Sequence, residues 1–342
     1  MEHAIPEGSL TYTRQGRGLE ITQYHGLAGQ VVIPEKLPWQ AETNPKLHAT
    51  EEGSTGMNLG SGAAEKVLPV RQIGKKAFLS KKYLRSVTIP ASVESVGDWA
   101  FAYCDSLREV CFEGRDVSFG KAVFMECPNL RCIRFLDGTR EGVGTETVGK
   151  CEEAGAVAGK CEGVGALLAA AVTQMESPYL LDAKEAGSRE WLGKWDARML
   201  AILNAADDEG YSKQILCGEE DYESADLETY LRNSRKKKVR LLLLRLLWPM
   251  GLDAGVERRL KDYLLAHTVG CESDETWQVV RENYGDRREF YELFASLGCL
   301  TKENAPAVIA QAPEDHPEMK AFFLRWQAEH FEAKRFFEDL EL

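Results

Sequence analysis

The stretch Ile73-Gly74-Lys75-Lys76-Ala77-Phe78-Leu79-Ser80-Lys81-Lys82-Tyr83-Leu84-Arg85-Ser86-Val87-Thr88-Ile89-Pro90 decides the fold, because its apolar letters return twice downstream without a gap. Twenty-three residues on stand Val96-Gly97, Ala100-Phe101, Leu107, Val110 and Phe112. Another 23 on stand Phe119-Gly120, Val123-Phe124, Leu130, Ile133 and Phe135. Recurrence at a fixed period marks a repeat architecture. A unit this short cannot bury its own apolar face and must stack on its neighbours. The Leu84-x-x-Val87-x-Ile89 run predicts a strand with Val87 and Ile89 turned inward. Equivalent strands would then lie in parallel, about 4.8 Å apart. The glycine of each copy suits a tight bend with positive φ. Phe78, Phe101 and Phe124 would form an aromatic column, and Leu84, Leu107 and Leu130 complete the expected repeat core. Pro90 has no N–H and ends the pairing after the first strand.

The unit Ile-Gly-x-x-Ala-Phe-x-x-Cys-x-x-Leu-x-x-Val-x-Ile-Pro resembles the BspA-like leucine-rich repeat family. Cys104 and Cys127 fall at the cysteine position, and Lys81 replaces it in the first copy. Leu19-Glu20-Ile21-Thr22-Gln23-Tyr24 and Val31-Val32-Ile33-Pro34 look like the capping unit that opens such domains. The resemblance covers about residues 10–135 and implies a short leucine-rich repeat β-solenoid. Family members are often surface proteins with many repeats; this array is short. A stretch from about Pro38 to Lys66, rich in Gly, Ser, Thr, Glu and Ala, interrupts the first unit as an inserted loop.

Beyond the repeats the pattern changes. Residues 138–174 are Gly-, Ala- and Glu-rich and read as a flexible linker. From there, apolar residues recur at helical spacing, as in Phe290, Leu293, Phe294 and Leu297, with Gly298 placed to stop that helix. Ser188, Ser273 and Thr301 sit where helix N-caps are expected. The expected organisation is therefore an α+β multidomain chain. It has a solenoid of 23-residue period with its cap over 1–137, the linker over 138–174, and an all-α helical-repeat domain over 175–342. That last region also looks like the helical C-terminal region of some short bacterial leucine-rich repeat proteins.

The 342 residues are 44% hydrophobic and carry a formal charge of −12, from 42 basic and 54 acidic side chains. Residues 1–137 hold 16 of each sign, so the whole acidic excess lies beyond them. This balance argues against a general nucleic-acid or membrane-surface binder. The start lacks a basic n-region and an apolar h-region, and the longest strongly apolar run, Leu241 to Trp248, is broken by Arg245. Nine cysteines without a Cys-x-x-Cys pair point to reduced thiols and a cytoplasmic protein.

Few motifs suggest chemistry. Gly144-x-x-x-x-Gly149-Lys150-Cys151 stands one residue from a phosphate-binding loop, but cysteine replaces the Mg²⁺-binding hydroxyl and no strand precedes it. An imperfect copy, Gly159-Lys160-Cys161, follows in the same Gly-rich stretch and points to linker. His267 and Cys271 share helical spacing but lack a second ligand pair, so a capping histidine and a packed cysteine are expected. Arg235-Lys236-Lys237-Lys238-Val239-Arg240 could hold phosphate, yet it runs into Leu241-Leu242-Leu243-Leu244 and suits a solvated face or intramolecular ion pairs.

One constellation belongs to the repeat itself. Arg85, Arg108 and Arg131 share one position and would form a guanidinium ladder, flanked by Glu109 and Arg134. The expectation is a non-enzymatic protein-protein interaction or scaffold protein. Its repeat surface would dock acidic groups from a partner or from its own helical region, with no cofactor and no catalytic or metal-binding residues. The alternatives are an enzyme or nucleotide-dependent regulator with its site in the helical region, and a nucleic-acid module using residues 235–240.

Overall fold

The structure, a computed structural model, describes residues 1–40, 66–136, 155–212 and 226–332. The chain divides into two compact units, Met1–Ala186 and Gly187–Leu342.

The first unit opens with an antiparallel meander of β1 (Glu2–Ile5), β2 (Gly8–Gln15) and β3 (Gly18–Gly26). It continues through β4 (Gln30–Val32), β5 (Lys36–Trp39), β6 (Lys66–Ile73), β7 (Ser86–Ile89), β8 (Ser95–Val96), β9 (Glu109–Phe112), β10 (Ser118–Phe119) and β11 (Cys132–Phe135). One sheet has the order β1-β2-β3-β6-β8-β10, and the other β11-β9-β7-β4. Within the second sheet every pairing is parallel, with Val31 opposite Val87, Val87 opposite Val110 and Val110 opposite Ile133. Leu19–Tyr24 lies in β3, which pairs β6, and Val31 lies in β4, which pairs β7, so the N-terminal segment starts both sheets. The inserted stretch differs from a plain loop at its ends. Lys36–Trp39 pairs antiparallel with Lys66–Pro69, while residues 41–65 lie outside the described residues.

The core is columnar. Tyr24, Phe78, Phe101 and Phe124 stack with ring centroids 5.3, 4.9 and 5.7 Å apart. Leu84, Leu107 and Leu130 are buried as well. The expectation of positive φ at the repeat glycines is overturned. Positive φ falls instead on Lys76, Trp99 and Ala122, and again on Ser80, Tyr103 and Glu126, two residues per copy. The glycines serve close approach. A Cβ on Gly97 would lie 2.6 Å from the backbone nitrogen of Lys75, and one on Gly120 would lie 2.6 Å from that of Asp98. Only a residue without a side chain lets adjacent turns come this near.

The linker reading of 138–174 is also corrected. Residues 137–154 lie outside the described residues, but Gly155–Thr173 forms helix α1. Its Leu167, Leu168, Ala169, Ala170 and Ala171 are buried. Alanine is the best helix former, and small residues permit close packing: a Cβ on Gly165 would lie 2.9 Å from the Ile133 carbonyl oxygen. The helix packs on β11, the last strand of its sheet, and covers an edge that would otherwise invite pairing. The following segment, with a 3₁₀ turn at Pro178–Leu180, stays in the first unit, so that unit ends at Ala186 and not at 137.

The second unit is helical: α2 (Arg189–Asn204), α3 (Leu227–Leu247), α4 (Ala254–Ala266), α5 (Glu275–Asn283), α6 (Arg288–Ser296), α7 (Ala305–Ala310) and α8 (Pro317–Gln327). Helix α3 is central and touches α2, α4, α5 and α6. Ser188 caps α2 as expected, its hydroxyl accepting from the Trp191 N–H at 3.1 Å. Gly298 has φ of 85° after α6, as a helix stop requires. The other caps shift. Asp274 and not Ser273 precedes α5. Thr301 bonds reciprocally with Asn304, one turn ahead of α7. Arg245, fully buried on α3, makes a forked contact to Asp196 of α2 at 2.6 and 3.1 Å and also donates to the carbonyls of Trp248 and Met250.

Candidate interaction surface

Each ladder arginine stands just before its strand. The N–H of Arg108 donates to the Arg85 carbonyl at 2.8 Å, and that of Arg131 to the Arg108 carbonyl at 2.9 Å, so the three form a column. Arg85 and Arg108 are exposed and Arg131 is half-buried. Among the described residues no carboxylate pairs with Arg85 or Arg108, whereas Arg131 has contacts of its own. Glu109 forms an ion pair with Arg134 of the neighbouring strand. Glu109, next to Arg108 in the chain, is thereby neutralised internally, and Arg134 serves this pair. Tyr83 and Tyr103, 64% and 43% exposed, belong to the same copies. Tyrosine and arginine are the side chains over-represented in protein interfaces.

The cysteines behind this surface are structural. The Cys104 thiol donates to the Phe78 carbonyl and the Cys127 thiol to the Phe101 carbonyl, each at 3.1 Å. Burial pushes Cys104 up to about 11 and Cys127 up to about 12, so neither supplies a thiolate nucleophile at neutral pH. Lys81, the substitute in the first copy, places its ammonium 5.7 Å from the Tyr24 ring centroid.

A cleft of about 990 Å³ lies beside β10. Phe119, Met125, Val172 and Leu181 are among its apolar lining. The chain after α1 is clasped there by Arg115, which donates to the Ala183 carbonyl at 3.0 Å, and by a Lys184–Asp116 ion pair at 3.0 Å. Nothing in the sequence pattern signals this clasp, because its partners are about 68 residues apart. Among the described residues, no group of three or more His, Cys, Asp or Glu is placed to hold a metal ion.

The remaining sequence candidates separate. Gly144–Cys151 lies outside the described residues. His267 is the C-cap of α4. Its ring stacks on Tyr263 at 4.1 Å and its Nδ1 lies 2.8 Å from the Tyr263 carbonyl oxygen, whereas Cys271 is exposed. The basic run is largely occupied. Asp207 binds Arg235 at 2.8 Å and Lys238 at 2.6 Å, and Lys236 pairs with Glu282 at 2.8 Å. Burial raises the Asp207 pKa, but the hydrogen bonds from Lys238 and Arg235 outweigh it and hold the carboxyl below its usual range. No helix among the described residues is long and apolar enough to cross a membrane.

Residues 67–152 match the family described as BspA type Leucine rich repeat region, in six copies. No curated protein matches the chain. Among solved structures, similarity extends to a leucine rich cell surface protein from Faecalibacterium prausnitzii A2-165. That match has 23% identity and a TM-score of 0.27, over 40% of this chain and 30% of the other. A leucine-rich repeat protein from Bacteroides capillosus ATCC 29799 gives 22% identity and a TM-score of 0.29, over 41% and 86%. One from Bacteroides ovatus ATCC 8483 gives 19% identity and a TM-score of 0.29, over 39% and 29%. The chain thus spans under a third of the first and third of these proteins.

Proposed function

We propose, from the premise that residues 67–152 are a BspA type leucine rich repeat region, that the chain is a non-enzymatic interaction module that binds an acidic protein through its arginine column. The first unit is read as a short solenoid of 23-residue turns, and the second as a helical repeat that supports a scaffold role. The observation that carries the reading is the exposed pair Arg85 and Arg108, joined by a backbone hydrogen bond and free of carboxylate partners among the described residues. Stacked leucine-rich turns present extended surfaces suited to macromolecules. Cys104, Cys111, Cys127, Cys132, Cys271 and Cys299 are free thiols, and the chain is read as working in a reducing, cytoplasmic location.

The test is affinity capture by the full chain and by an Arg85→Glu/Arg108→Glu variant. Exposed pairs are worth about 0–1 kcal/mol each, so thermal stability should hardly move. The wild type should retain an acidic partner that it loses as salt rises, and the variant should retain much less of it. Equal capture of the same proteins by both forms, with equal salt dependence, refutes the reading.

A further inference from the structure

We propose that the cleft between α2 and α3 of the second unit is an oxyanion-binding site centred on Arg240, for a ligand carrying a phosphate or carboxylate group. The cleft measures about 850 Å³. Among the described residues, four cationic side chains line it, Arg198 from α2 and Lys237, Lys238 and Arg240 from α3, against one acidic one, Glu209. Asn233, Lys237 and Arg240 share one face of α3 by their spacing of four and three residues.

Arg240 differs from every other cation of its helix discussed above. Arg235 and Lys238 are satisfied by Asp207, Lys236 by Glu282, and Arg245 by Asp196. Among the described residues Arg240 has no hydrogen-bonding or ion-pair partner. It is nonetheless mostly buried, and loss of water disfavours its charged form. A guanidinium stays protonated in such a place, where an ammonium would shed its proton. A charge held away from water without a counterion is costly, and an oxyanion delivered into the cleft offsets that cost with two parallel N–H···O bonds. Arg198 and Lys237 have contacts of their own, but their charges still raise the positive potential of the cleft. Ser234 and Asn233 add neutral hydrogen-bonding groups at its wall. The volume exceeds that of a bare phosphate, which leaves room for the body of the molecule that carries it.

Isothermal titration of the full chain with pyrophosphate and, separately, with citrate in chloride buffer tests the site. Preference between them tells phosphate from carboxylate recognition. One saturable site is expected for at least one probe. Arg240→Gln should weaken it about tenfold or more, the loss of a charge-assisted pair, and Arg240→Lys should fall between. Acetylation of Lys237, followed by peptide mass spectrometry, locates the site without mutation: the bound probe should slow it at least about threefold. The inference is overturned by no saturable binding below about 10 mM of either probe, by unchanged affinity in a folded Arg240→Gln, or by binding that leaves Lys237 acetylation unaltered.

Discussion

Replacing Phe101 by alanine removes the middle ring of the aromatic column. Phe101 is fully buried, 4.9 Å from Phe78 and 5.7 Å from Phe124 between ring centroids. Its backbone is held on both sides: its N–H donates to the Val123 carbonyl at 3.0 Å, and its carbonyl accepts from the Cys127 thiol. Neighbouring turns cannot collapse onto the space because the glycine contacts already fix how closely they approach. The cost should therefore lie near the upper part of the usual range for a buried Phe→Ala, about 3–5 kcal/mol. Cys104 and Cys127 report this directly, since both thiols are buried in that core. Under native conditions their alkylation requires local opening, and each 1.4 kcal/mol shifts that equilibrium about tenfold. Mass spectrometry of the peptides should show labelling about 10² to 10³·⁵ times faster in the variant than in the wild type. A rise of less than about fivefold, equivalent to about 1 kcal/mol, would mean that the ring does not carry the stack.

Three further outcomes follow from the same geometry. Gly97→Ala should destabilise the first unit by about 1–3 kcal/mol, since its Cβ meets immobile backbone; a denaturation midpoint equal to wild type would remove close approach as the reason for the glycine. The raised thiol pKa values predict alkaline weakening. The unfolded thiols titrate near about 8.5, so the stability they contribute is complete below that pH and is lost as pH rises toward about 11 for Cys104 and about 12 for Cys127. A Cys104→Ser/Cys127→Ser variant should show a flatter stability profile from pH 9 to 11, and an equally steep one would contradict the assignment. Arg245→Met should cost about 3–5 kcal/mol by stranding Asp196, and Arg245→Met/Asp196→Leu should recover much of it in urea denaturation. Additive losses in that pair would show that the two charges act independently.

What was legible in the sequence was what translation repeats. Val87, Val110 and Ile133 read as inward strand positions from alternation, and all three are buried, with Val87 opposite Val110 and Val110 opposite Ile133. The role of Gly97 is hidden in the sequence for a physical reason. Backbone conformation and inter-turn distance leave the same letter in the sequence, and only the neighbouring turn distinguishes them. Trp99 and Tyr103 carry the positive φ that glycine was expected to supply, held there by hydrogen bonds to the Lys121 and Met125 carbonyls of the next turn.

The Gly- and Ala-rich stretch failed for a related reason. Gly163 to Ala171 supports either a mobile chain or a closely packed helix, and composition alone does not choose. The exposed edge of β11 chooses, because small side chains can seat against its backbone where larger ones would be held off. The basic run follows the same logic. Arg235, Lys238 and Arg240 are equivalent letters in sequence. Asp207, about 28 to 31 residues away, neutralises the first two, and among the described residues the third has no ion-pair partner. A charge run therefore marks no site by itself. The informative residue is a cation whose burial is uncompensated among the described residues, and finding it requires the fold that buries it.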